Sequence, residues 1–258
     1  MEIRYTVSIL RDTLNQMRGE RMGNPLLSHY IRLTEFLGRV LGPDYEVALH
    51  DLTNKDHSII AIANNHISGR EVGAPLTNVA LKVLKDQSYD RMEYMLHYPG
   101  VSASGKALRS STFFIKDGEE LVGMLCVNFD DSRYEAVIQQ VLQLCHRDSM
   151  VETSFQFDAG QRTHARQDAP STERFHNSIR EVAGDAVARE LKRMDLTADQ
   201  LDADERLGIV AALEPHGIFL LKGAVKEVAD ALGCSQATVY RYLAQVRKES
   251  AGPAGLDD

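Results

Sequence analysis

The sequence predicts an α+β protein in two parts: an antiparallel sheet with inserted helices, then an all-α domain. Three observations carry this. Apolar residues alternate with polar ones over Glu46–Leu52, Ser58–Ala63 reads as a second strand, and Ala107–Lys116 and Glu120–Phe129 read as two more, alternating runs. Apolar residues recur at i, i+3, i+4, i+7 over Val225–Leu232 and again over Val239–Val246, as helices require. Between the two parts, Ser149–Thr172 has no period and includes the polar, proline-bearing run Gln161–Ser171, which reads as a linker.

The first element expected is a helix over residues 1–20. There Ile3, Val7, Leu10, Leu14 and Met17 alternate steps of four and three. That seam suits a dimer contact or packing on the chain's own domain. Gly23-Asn24-Pro25 breaks it. A second helix runs from about Pro25 to Leu41 with Leu27, Tyr30, Ile31, Phe36, Leu37 and Val40 inward, and Gly42-Pro43 stops it. The two strands at 46–52 and 58–63 follow, then a polar, glycine-bearing loop to Pro75. Thr77 starts a helix through about Asp86. Asp117-Gly118 joins the third and fourth strands, a strong hairpin signal between alternating runs. Asp131–Cys145 reads as a closing helix. Residues 1–20, 21–148, 149–172 and 173–250 are thus expected as N-terminal helix, sheet domain, linker and all-α domain.

The all-α part begins with helices over Phe175–Met194 and Asp204–Leu213, the latter stopped at Pro215-His-Gly217. Its last two helices carry the function. Ala229 is small where two helices must cross. Gly233 suits the left-handed residue that ends a helix, and Ser235 caps the next. Val239, Tyr242, Leu243 and Val246 face back onto the first of the pair. The opposite face keeps Gln236, Ala237, Tyr240, Arg241, Ala244, Arg247 and Lys248. That is the pattern of a helix-turn-helix with a DNA-reading second helix. Ser235, Gln236, Ala237, Thr238, Tyr240 and Arg241 lie in the N-terminal half, which reads bases and nearby phosphates. Arg247 and Lys248 suit the phosphate backbone. An ordinary helical hairpin is the bland alternative. It needs no small residue, glycine and cap in this order, and its outer face is usually richer in Glu–Lys pairs.

The chain of 258 residues has a formal net charge of −8, which argues against a non-specific nucleic-acid coat. Within 235–249, three cations face Glu249 alone, so the basic patch is local. No apolar run is long enough to span a bilayer and no signal-peptide core opens the chain, so a cytoplasmic location is expected. The cysteines Cys126, Cys145 and Cys234 are scattered, without metal-ligand spacing. No zinc-protease, nucleophile-elbow or phosphate-loop motif is present, so no enzyme is expected. Nothing selects a haem or flavin, and no cofactor or metal is expected. The alternative function is an adaptor whose helix-turn-helix binds protein.

The order strand, strand, helices, hairpin is that of a PAS-type sensor domain. Leu41–Leu52, Ile59–Pro75 with its Asn-His-Ile-Ser-Gly-Arg core, Leu108–Thr112 and Gly123–Asn128 resemble the YheO-like bacterial regulators. So do Gly217–Val225 and Thr238–Leu243. The resemblance spans nearly residues 20–250. One departure is Asn64-Asn65, where the family pattern has Asn-Gly. The resemblance implies an N-terminal PAS-like domain, a C-terminal helix-turn-helix and a transcriptional regulator, a repressor, that senses a small metabolite. Candidate sensor residues are the polar groups on or beside the strands: His50, Asp51, Asn65, His66, Ser68, Arg70, Ser110, Ser111, Thr112 and Asn128. Such a cluster marks either an internal network or a ligand site. Arg70 beside Gly69 could clamp a carboxylate, so the effector expected is small and polar or amino-acid-like. The expected partner is a pseudo-palindromic double-stranded operator. A two-fold site calls for a homodimer or higher even oligomer.

Overall fold

A computed structural model describes residues 24–144 and 172–250. The N-terminal helix expected over 1–20, and all but the last residue of the linker expected over 149–172, lie outside the described residues. The chain divides into two compact units. One gathers the residues up to Gly73 and those from Glu93 to Phe175. The other gathers Ala74–Met92 and the residues from His176 onward.

The first unit is built on a six-stranded sheet. Its strands are β1 (Tyr45–Asp51), β2 (Ile59–Ala63), β3 (Tyr94–Val101), β4 (Ala107–Asp117), β5 (Glu120–Phe129) and β6 (Glu173–Arg174), in the order β2-β1-β5-β4-β3-β6. Five strands pair antiparallel. The two-residue β6 is parallel to β3 and makes the sheet mixed. The hairpin turns at Gly118, whose φ of 62° is left-handed, as the Asp-Gly signal requires. The helix α1 (Leu27–Leu41) lies on one sheet face over Val47, Leu49, Ala61, Ile115 and Leu125. Leu27, Tyr30, Ile31 and Leu37 pack there as expected. Phe36 and Val40 do not: they are 58% and 62% exposed. The inward stripe runs instead through Thr34 and Gly38, because Gly38 rides against Ala63. A Cβ on Gly38 would stand 2.3 Å from that of Ala63. Strand β1 is buried on both faces, not half-buried, because it sits between β2 and β5 under α1.

Asn64 ends β2 in the left-handed region, at φ 57°. Its Nδ2 donates to the carbonyls of Gly38, Gly42 and Tyr45 at 3.0, 3.0 and 2.7 Å. Asn tolerates that conformation better than most residues. Asn65 has no positive φ, so the departure from Asn-Gly needs no glycine. Strand β3 was not expected, because His97 at φ 56°, Pro99 and a register shift between Met95 and Tyr98 interrupt its alternation. After β5, α3 (Ser132–Leu144) closes the unit near its expected limits.

The second unit is helical: α2 (Asn78–Asp86), α4 (Ile179–Met194), α5 (Ala203–Leu213), α6 (Ala224–Ala231) and α7 (Gln236–Ser250). Side-chain caps start three of them. Thr77 accepts from Ala80 N–H, Ser178 from Glu181 N–H, and Asp202 forms a capping box with Glu205. Helix α2 comes from the middle of the sheet domain's sequence but groups with the C-terminal helices. Gly217 allows this: a Cβ there would stand 2.6 Å from the Leu81 carbonyl oxygen.

A candidate nucleic-acid interface and a buried polar cluster

The helix pair α6–α7 has the anatomy its sequence calls for. Val228, Ala229 and Leu232 are buried on α6, as are Val239, Tyr242, Leu243 and Val246 on α7. Ala224 takes the inner place expected of Val225, which is half-buried. Gly233 turns the chain at φ 62°, and the Cys234 N–H reaches back to the Ala229 carbonyl at 3.0 Å. This satisfies a carbonyl that the end of α6 leaves over. The Ser235 Oγ accepts from the Thr238 N–H at 3.1 Å and meets Thr238 Oγ1 at 2.9 Å. Thr238 is thereby turned into the cap and half-buried.

The outer face presents Gln236, Ala237, Tyr240, Arg241, Ala244, Arg247 and Lys248, all exposed. Arg241 rests near the rim of α7, its guanidinium 5.4 Å from the Tyr242 ring centroid. A groove of about 600 Å³ adjoins this face, lined among others by Lys222, Lys226, Gln236, Tyr240 and Arg247. Arg247 has a structural partner as well. Its Nε donates to Glu214 at 3.0 Å, and Lys85 meets the same carboxylate at 2.8 Å. Burial pushes the Glu214 carboxyl up, but the hydrogen bonds from Arg247 and Lys85 outweigh it and hold the group below its usual range.

In the first unit, register decides which of the polar candidates meet. Glu46 pairs with Asn128, Asn128 with Ser110, Ser110 with Tyr98, and Thr112 with Cys126. Directly paired residues share a face, so these form one polar surface on the side opposite α1. Ser68 and Arg70 lie against it. The Ser68 Oγ donates to Glu46 Oε2 at 2.6 Å, and Asn128 Nδ2 donates to Glu46 Oε1 at 2.8 Å. Burial raises the Glu46 pKa even so. Arg70 is 2% exposed and stands in the field of Glu173 and Glu46. A guanidinium keeps its charge even when burial lowers its pKa. Tyr98 shares a 2.7 Å hydrogen bond with Thr112 and another with Glu173. Burial pushes the Cys126 thiol up to about 12, with Glu173 adding to it, so it stays a thiol.

The other candidates have local work. The His50 ring meets Ser58 at 2.9 Å, and its pKa is held well below the usual value by burial and then by Arg70. Asp51 receives the Thr53 N–H and hydroxyl. Asn65 and His66 are exposed and bond the carbonyls of Arg70 and Pro43. Ser111 points to the other sheet face and accepts from His97 N–H. Arg70, expected as a carboxylate clamp, stands here in the field of two carboxylates of this chain, Glu173 and Glu46. Glu46, Tyr98, Cys126 and Glu173 join the cluster unexpectedly. Glu46 could have been found, since it shares His50's parity on an alternating strand.

Comparison with known proteins agrees with both halves. Residues 21–146 match the model of a YheO-like PAS domain, and residues 183–244 match that of a helix-turn-helix domain. The chain joins a YheO-like PAS domain to a helix-turn-helix domain. It is 28% identical over 245 residues to the uncharacterized protein YheO of Escherichia coli, covering 92% of this chain and 91% of that one. It is 26% identical to an uncharacterized protein of Haemophilus influenzae, over 87% of this chain and 92% of the other. It is 25% identical over 226 residues to the transcriptional regulator DauR of Pseudomonas aeruginosa, over 87% of this chain and 96% of that one. All of the buried polar cluster but Glu173 lies within the PAS match, and Gln236, Ala237, Tyr240, Arg241 and Ala244 of the α7 face lie within the helix-turn-helix match, with Arg247 and Lys248 just beyond it. Among the described residues, no helix is long and apolar enough to cross a membrane, and no three His, Cys, Asp or Glu side chains are grouped to hold a metal.

Proposed function

We propose that this chain is a one-component, sequence-specific DNA-binding transcriptional regulator, a repressor, acting in the cytoplasm, whose PAS domain senses a small polar metabolite. The observation that carries the reading is the outer face of α7. It is exposed along its length, carries side chains suited to bases and phosphates, and is held in place by a capped turn and a buried inner face of Val239, Tyr242, Leu243 and Val246. Gln236, Ala237 and Arg241 read bases. Ser235, Thr238 and Tyr240 position the helix N-terminus on the nearby phosphates. Arg247 and Lys248 meet the backbone farther along, Arg247 while still tied to Glu214.

One helix pair makes too few contacts for useful specificity, so the regulator acts as a homodimer on a two-fold site. An apolar stripe on α3 supports this: Tyr134, Val137, Ile138 and Val141 recur at i, i+3, i+4, i+7 and are all exposed. Ser68, Arg70, Ser110, Thr112 and Asn128 form the sensing cluster together with Glu46, Tyr98 and Glu173.

The test is protection footprinting on the DNA upstream of the chain's own gene, with wild type beside a Gln236→Ala/Arg241→Ala variant. A two-fold-related protected site, lost in the variant, is the expected result. A folded wild type that protects no DNA there, and selects none from a random pool at low salt, defeats the reading and favours a protein-binding adaptor.

A further inference from the structure

The polar cluster of the PAS sheet is completed at the sheet's edge by a piece of the chain itself. Thr172–Phe175 runs along the sheet's edge beside β3 as a strap, with Thr172, Glu173 and Phe175 only 1%, 2% and 2% exposed. Its strand, β6, is two residues long, pairing Gly100 with Glu173 and Val101 with Arg174. So short a pairing holds the strap weakly. Side chains do the rest. Glu173 offers its carboxylate to Arg70 and Tyr98. Phe175 packs with Ile67 and Leu108. Gly100 makes room: a Cβ there would stand 2.8 Å from Ser110 Oγ and 2.9 Å from the Phe175 ring.

Two details argue that this place suits a ligand better than it suits the strap. Ser110 Oγ and Asn128 Oδ1 are both buried and make no hydrogen bond among the described residues. Asn128 cannot relieve this by flipping, because its Nδ2 is committed to Glu46. A buried polar atom left unpaired costs about 1–3 kcal/mol. The second detail is connectivity. Arg70 lies four residues before Ala74, where the chain leaves for the helical unit, and Glu173 lies three before His176, where it leaves again. The Glu173–Arg70 contact thus ties together two of the segments that run into the DNA-binding unit. Ser178, the cap of α4, follows Phe175 by only three residues.

We propose that the strap is a built-in ligand, its Glu173 carboxylate occupying the site of a small carboxylic acid that also carries an N–H donor, and that this acid displaces the strap and so alters the start of α4. This rests on the sensor reading above and names its ligand class and its switch. The acid's carboxylate takes the place of Glu173 beside Arg70 and Tyr98. Its N–H group meets Asn128 Oδ1 and Ser110 Oγ, which the strap leaves unpaired. A tethered group competes at an effective concentration of order millimolar or more. A weak free acid therefore cannot displace it from the wild type, but can fill the place of a missing side chain.

The full-length Glu173→Ala variant is therefore melted in sodium acetate, glycine, acetamide and sodium chloride at matched ionic strength. Acetate should raise the Glu173→Ala melting temperature in a saturable way and leave the wild type unmoved. Glycine should saturate at a lower concentration than acetate, and acetamide should do nothing. Adding Arg70→Met should abolish the response. An acetate effect equal in wild type and variant overturns the carboxylate site, and equal potency of acetate and glycine overturns the N–H donor half. Should Glu173→Ala not fold, Glu173→Gln keeps the shape without the charge. Its amides over 173–182 should then exchange at least tenfold faster while those of β1 and β5 stay at the wild-type rate. Unchanged or uniformly faster exchange overturns the strap. On DNA selected by the wild type from a random pool, Glu173→Gln should shift Kd at least fivefold, and agreement within twofold overturns the coupling to α4. If the wild type selects no DNA, it is the regulator reading that fails, and the melting and exchange results still decide the strap.

Discussion

Arg241 and Arg247 stand on the same exposed face of α7, yet they should fail in different ways when truncated. Arg241 makes no ion pair among the described residues. It sits in the N-terminal half of α7, the half proposed to read base edges, where a bidentate contact is worth about 1–3 kcal/mol. Arg241→Ala should therefore weaken binding by roughly 5- to 150-fold and relax preference at one base pair. Stability should stay within about 0.5 kcal/mol of wild type, as for other exposed positions. Arg247 is bonded to Glu214 at 3.0 Å, with the arginine side chain 57% exposed and the carboxylate side chain 10%. Two charges near 4 Å attract by about 4 kcal/mol at an effective dielectric of 20, but solvent and side-chain entropy leave exposed pairs about 0–1 kcal/mol. Lys85 also stays on Glu214 in the variant. Arg247→Ala should then cost about 0.5–1 kcal/mol of stability. Its DNA binding should weaken alike on all sequences, with the salt slope falling by about one. Urea titration gives the stabilities. Fluorescence anisotropy at several salt concentrations, on DNA that the wild type selects, gives the rest. The reasoning is refuted if Arg241→Ala is the less stable of the two, or if it binds the selected site with wild-type affinity and base preference.

Three further outcomes follow from the packing. Gly38→Ala gains up to about 1 kcal/mol of helix propensity but drives its Cβ to 2.3 Å from that of Ala63, and overpacking of this kind costs about 1–3 kcal/mol. It should lower the urea midpoint, and adding Ala63→Gly should restore it; a gain in the single variant would show that α1 can shift freely. Ser235→Ala removes the acceptor of the Thr238 N–H and should cost about 1 kcal/mol, read by thermal melting, where no change would deny the cap. His50 is buried and neutral, its pKa held well below the ordinary 6.5, so the unfolded chain binds the extra proton between the two values. Its contribution to stability is complete above about 6.5 and is lost as pH falls toward the folded value, by up to about 1.4 kcal/mol per pH unit. Glu46, raised by burial, slopes the other way from its ordinary 4.5 upward, so the measured quantity is the difference between wild type and His50→Gln. A difference that does not vary between pH 5 and 8 would contradict the assignment.

The helix-turn-helix was legible because each part of it is local. Helical period, a glycine in the left-handed region and a serine cap all act within a few residues, and Val239, Tyr242, Leu243 and Val246 are buried where the period put them. Arg247 shows the limit. Its partner, Glu214, lies 33 residues away and was not suggested by any spacing. The sheet was legible where strands alternate and the hairpin announces itself. It was not at β3, where proline and a left-handed histidine break the pattern, nor at β6, which has no period at two residues. The polar cluster was half legible for the same reason. Ser110, Thr112 and Asn128 lie on strands that could be read, whereas Tyr98 and Glu173 lie on the two that could not. Phe36 and Val40 were misplaced because close approach at Gly38, which depends on Ala63 in another element, turns the helix away from its most apolar stripe.

That Glu173 and Arg70 belong to one cluster changes what a sensing event has to achieve. A ligand can shift an equilibrium only through different affinities for the two states. An effector that merely added contacts beside a fixed strap would stabilise the PAS domain without altering the DNA-binding unit. An effector that competes with the strap is coupled by construction, since the bound state and the strapped state exclude each other. The cost is apparent affinity, which falls by the fraction of chains in which the strap is open. Weakening the strap without touching the ligand's partners should therefore tighten effector binding and shift DNA affinity in the effector's direction. Phe175→Ala is that perturbation. It removes an anchor packed with Ile67 and Leu108 and leaves Arg70, Tyr98, Ser110 and Asn128 in place. If Phe175→Ala moves DNA affinity opposite to Glu173→Gln, the two residues do not act on one strap, and Glu173 is then only a partner for Arg70.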